Sequence, residues 1–111
     1  MRPVSASEEG VARNEALFRE FNERVEDLAD TVGAERIRFV CECGDLDCLK
    51  RVELTRAAYE EVRSDPKRFA VAPGHEKPEV ERVVARGEGY LVVEKVEAAA
   101  QVAIEHDPRS I

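Results

Sequence analysis

The chain has 111 residues, with 24 acidic against 17 basic side chains, a formal net charge of -7, 43% hydrophobic residues and no Trp. That length fits one domain with a single modest core built mainly from Val, Leu, Ile and Ala, thin enough that a metal staple or a partner subunit would add to its stability. The net charge repels phosphate backbones and no apolar run is long enough to cross a bilayer, so neither nucleic acid nor a membrane is an expected partner.

The opening MRPVSASEEG lacks the basic and apolar regions of a signal peptide, which makes the cytoplasm the expected location. Its mixture of Pro, Ser, Glu and Gly has no periodicity, so Met1 to Gly10 is predicted as a flexible arm and 11–111 as a single domain. From Val11 a helical stripe begins. Val11, Asn14, Phe18, Phe21, Val25, Leu28 and Val32 recur at steps of three and four, Leu17 and Ala29 widen the stripe, and Gly33 supplies a stop. The helix predicted over about Val11 to Val32 is roughly 33 Å long, and something must cover its apolar side along that length. Two covers are available: the sheet of its own chain, or a second copy meeting it along an a/d seam to make a homodimer.

Arg36 to Cys41 alternates in the manner of a strand, Arg51 to Leu54 reads as a second, and the two can pair as a hairpin with cysteines at its tip. Thr55 is a suitable N-cap for a short helix to about Arg63, ended by Ser64-Asp65-Pro66. Arg68 to Ala72 predicts a third strand, stopped by Pro73-Gly74. VERVVAR and YLVVEKV then flank Gly87-Glu88-Gly89, a hairpin signal, and the Ala-rich run Glu97 to Glu105 predicts a last helix. The expected fold class is α+β, a mostly antiparallel sheet of four to five strands with a long N-terminal amphipathic helix and a zinc-knuckle-like loop.

All three cysteines fall within the stretch FVCECGDLDC. Alternate residues of an extended chain point the same way, so Cys41 and Cys43 can aim both sulfurs at one point, while Gly44, Asp45 and Asp47 favour a loop that returns Cys48. Three soft ligands at this spacing suit Zn2+, which in structural sites takes four ligands in a tetrahedron, Cys3His being a common set. One ligand is missing locally. Of the two histidines, His75 follows the Pro73-Gly74 turn and is the first choice; His106 lies near the chain end, and Glu42, Asp45, Asp47, water or a group from another chain are the remaining alternatives. Lys50 and Arg51 stand next to the knuckle, either offsetting its negative charge or forming ordinary solvated surface.

The predicted metal ligands are therefore Cys41, Cys43, Cys48 and His75. With four protein ligands the metal is structural, and the expected role is a zinc module acting in protein interaction or regulation. An enzyme would need an open position for water, with Glu76 as base, but no H-E-x-x-H motif is present. A thiol sensor, in which oxidation expels the metal, is the other alternative. The chain also resembles a family of small bacterial proteins, largely actinobacterial, that combine an N-E-x-L-F-R-E helix, a C-E-C-G-x-x-x-C knuckle and a P-G-H-E turn. Here these stand at Asn14 to Glu20, Cys41 to Cys48 and Pro73 to Glu76. The resemblance implies that the three segments form one unit; it implies no activity.

Overall fold

The computed structural model describes residues 6–109. Helix α1 (Ala6–Thr31) starts five residues before the predicted Val11. Residues 6–10 of the stretch read as an arm are therefore helical, and residues 1–5 lie outside the described residues. Near this end Glu9 pairs with Arg13 one turn on at 3.1 Å. Gly33 takes a φ of 70° and ends the helix where the sequence placed the stop.

Strands β1 (Arg36–Val40) and β2 (Arg51–Thr55) form an antiparallel hairpin with Phe39 opposite Val52. Ile37, Phe39, Val52 and Leu54 face inward while the intervening arginines and Glu53 face out. Helix α2 (Arg56–Arg63) follows directly, and Thr55 caps it as expected, its hydroxyl accepting from the Ala58 N–H at 3.1 Å. Strands β3 (Arg68–Val71), β4 (Glu81–Gly87) and β5 (Tyr90–Lys95) make a second antiparallel sheet in the order β3-β5-β4. Gly89, with a φ of 81°, turns the β4–β5 hairpin, and α3 (Glu97–Glu105) closes the fold.

The five strands are therefore divided into sheets of two and three, and neither reaches the four to five expected of one sheet. The reason lies at Glu42. Just past β1 its backbone N–H donates to the Ala70 carbonyl at 2.9 Å, but the Ala70 N–H donates to the Glu42 carboxylate at 3.0 Å, so a side chain stands where the next strand bond would be. One main-chain bond, that carboxylate and a bond from the Ala72 N–H to Cys41 Sγ at 3.1 Å join the sheets here in place of a ladder.

A second correction concerns which side of α1 is inside. Glu15, Arg19, Asn22 and Glu26 are at most 3% exposed, whereas Leu17, Phe21, Leu28 and Val32 are 57, 53, 70 and 79% exposed. At about 100° per residue these two sets lie roughly 140° apart around the helix. Only Val25 and Ala29, at the margin between them, pack on the core. The apolar stripe does not cover its own sheet; a polar stripe does.

Most of these buried polar groups are admissible because they find partners, although Arg19 Nε and one Glu26 oxygen have none among the described residues. Glu15 meets the Lys95 ammonium at 2.6 Å, and Lys95 also holds Glu81. Arg19 donates to the carbonyls of Pro66 and Ala103 at 2.7 and 3.0 Å and lies 4.3 Å over the Phe69 ring. Asn22 donates to the Val40 carbonyl at 2.8 Å and accepts from its N–H at 2.9 Å, pinning the end of β1.

Candidate metal centre

As β1 runs out, the alternation of the extended chain continues through the knuckle. The Cys41 and Cys43 sulfurs turn to one side and the Glu42 side chain to the other, where it is completely buried. There its second oxygen accepts from Asn22 Nδ2 at 2.8 Å and from the Tyr59 hydroxyl at 2.7 Å. Burial pushes the Glu42 carboxyl above the usual range against the pull of these donors, and burial beside that carboxylate pushes the Tyr59 hydroxyl up as well. Glu42 is thus bound into the core and is not a metal ligand.

Gly44 takes a φ of 79°, and a Cβ there would fall 2.7 Å from both Glu15 Cγ and the Val11 carbonyl oxygen. Only glycine lets α1 lie this close to the knuckle, and Asn14 Nδ2 fastens the contact by donating to the Gly44 carbonyl at 3.1 Å. Asp45 then organises the return. Its carboxylate accepts from the Asp47 N–H at 2.9 Å and its carbonyl from the Cys48 N–H at 3.1 Å, which brings the third sulfur round.

The fourth group comes from the other sheet. After β3, Gly74 at φ 88° makes a tight turn in which the His75 N–H donates to the Ala72 carbonyl at 3.0 Å. The His75 imidazole then stands with Nδ1 3.6 Å from Cys41 Sγ and 3.5 Å from Cys48 Sγ, and the ligand atoms of Cys41, Cys43, Cys48 and His75 all lie within 4.8 Å of one another. A tetrahedral ion with Zn–S of about 2.3 Å and Zn–N of about 2.0 Å requires an S···N edge of about 3.5 Å. The spacing fits such an ion.

The surroundings also suit thiolates. The Ala72 N–H donates to Cys41 Sγ at 3.1 Å, and the Asp45 N–H points at Cys43. Contact with Cys41, aided by His75 and that N–H, holds the Cys43 thiol down at about 4, whereas the same contact and burial push Cys41 up.

All four residues singled out in the sequence come together, and the alternative ligands do not join them. Asp45 and Asp47 belong to the turn, and His106 is exposed at the end of α3. Glu76 lies outside the group, with one buried oxygen that has no hydrogen-bond partner among the described residues. If all four hold an ion, they would complete a tetrahedron and leave no open position of the kind a hydrolytic metal keeps for water. Sequence reasoning missed Lys77, whose ammonium donates to the Cys43 carbonyl and lies 3.7 Å from Glu15. This cation beside the knuckle comes from the histidine loop, two residues past His75. Comparison with family models, curated proteins and solved structures finds no match to the chain. No helix among the described residues is long and apolar enough to cross a membrane.

Proposed function

We propose that Cys41, Cys43, Cys48 and His75 bind one structural Zn2+, and that the protein is a small cytoplasmic zinc module whose task is protein association or regulation. The observation that carries this reading is the pair of S···N separations, 3.5 and 3.6 Å, at the edge length of a tetrahedral zinc site. The chemistry of the donors agrees with it: three thiolates and an imidazole favour zinc over the hard cations, and unpaired thiols suit a reducing compartment.

Protein purified without added metal should contain close to one zinc per chain. His75→Ala should lower both the zinc content and the melting temperature, because the ion joins segments that lie 34 residues apart at Cys41 and His75. Substitution by Co2+ should give the intense visible absorption of a tetrahedral thiolate site, weakened in His75→Ala. A metal-free preparation that melts at the same temperature as the loaded protein would overturn the structural role.

A further inference from the structure

The face of α1 turned away from the fold is the apolar one. Leu17, Phe21 and Leu28, with Arg24 between them, follow steps of four, three and four, the spacing of a coiled-coil seam. Beside them a groove of about 510 Å³, lined by Leu17, Phe18, Glu20, Phe21, Arg24 and Val40, runs between the helix and the end of β1. A helix that buries its polar side and exposes its apolar side reverses the usual arrangement for a surface helix. The pattern is that of an element with a second layer on its outer face.

We infer that this face binds a second copy of the chain, with the two α1 helices antiparallel about a two-fold axis between positions 22 and 23. The inference deepens the association role proposed above and is independent of the metal. The seam selects its own occupant. Around that axis Leu17 of one copy meets Leu28 of the other, and Phe21 meets Arg24, so each guanidinium lies over an aromatic ring and beside Glu20 of the opposite copy. Within one copy Arg24 already reaches back to Glu20 at 3.9 Å, its one ion pair among the described residues. Parallel pairing would put Arg24 against Arg24 and Glu20 against Glu20. A single charged residue inside a short apolar seam thereby fixes both orientation and register.

At a chain concentration of about 100 µM, far above a micromolar Kd, sedimentation equilibrium should give twice the 12.4 kDa chain mass. Phe21→Arg sets two cations against each other and should raise the dimer Kd at least about tenfold, as truncation of a central anchor does. Phe21→Glu, facing Arg24 of the other copy, should raise it by a clearly smaller factor. Leu17→Arg, remote from Arg24, should be as damaging as Phe21→Arg. Zinc content and far-UV circular dichroism, read on each variant, separate a broken interface from a failed metal site or fold. A wild-type chain that stays monomeric, or one that associates only with a different protein, would overturn the second copy as occupant. Equal effects of Arg and Glu at position 21 would overturn the antiparallel register.

Discussion

At the residue scale, Glu42 carries more of the structure than its place between two cysteines suggests. One carboxylate takes bonds from the Ala70 backbone, the Asn22 amide and the Tyr59 hydroxyl, joining α1, α2 and both sheets while its neighbours face the candidate metal centre. Glu42→Ala would strand these three donors, each at a cost of roughly 1–3 kcal/mol, so a loss of at least about 3 kcal/mol in urea unfolding is expected. Glu42→Gln keeps one acceptor and should lose about half as much. Equal losses would show that the carboxylate's bonds are not what matters. The cysteines were legible because a C-x-C alternation and a glycine turn act locally, and His75 because its turn is written in Pro73-Gly74. Glu42 was legible only in part. Alternation already sends it away from the sulfurs, but its partners sit 20, 17 and 28 positions distant, and no local signal names them.

At the scale of elements, α2 and the β4–β5 hairpin could be read because a cap residue and a pair of glycines define them. The orientation of α1 could not. Hydrophobic periodicity shows that a helix has an apolar side, but not whether its own chain or another molecule covers it. The side that faces inward here is charged, and this has a consequence for pH. Glu26 is buried against Glu60, and burial with that carboxylate alongside raises its pKa from 4.5 to about 7. The folded protein keeps a proton there that the unfolded chain has given up, so this group favours folding most at low pH and loses its contribution as pH rises from about 4.5 to 7. Metal binding by thiolates has the opposite dependence, so the two are separated by comparison. Relative to Glu26→Gln, the wild type should lose stability between pH 5 and 8 in paired urea titrations, whereas a constant difference would place the Glu26 pKa outside that range.

At the scale of the whole molecule, the two sheets are the part of the architecture that the sequence did not disclose. Five runs with strand periodicity are compatible with one sheet or two, and the choice is made by a carboxylate standing in for a strand bond at Ala70. Three sulfur ligands belong to the end of the β1–β2 hairpin and the imidazole to the loop leaving β3, so the proposed ion bridges the boundary between the sheets. Cys48 and His75 enclose a ring of chain 27 positions long that contains β2, α2 and β3.

Such a ring behaves as a clasp. With the proposed ion removed, the two halves of the protein would be free to hinge about the Glu42 junction, and the loops on either side would be the first places where a protease reaches extended backbone. Chelated protein should accordingly be cut early between Cys41 and Lys50 or between Pro73 and Pro78, and the loaded protein resist at both. If the cleavage pattern is the same with and without chelator, the halves are held together by their packing alone.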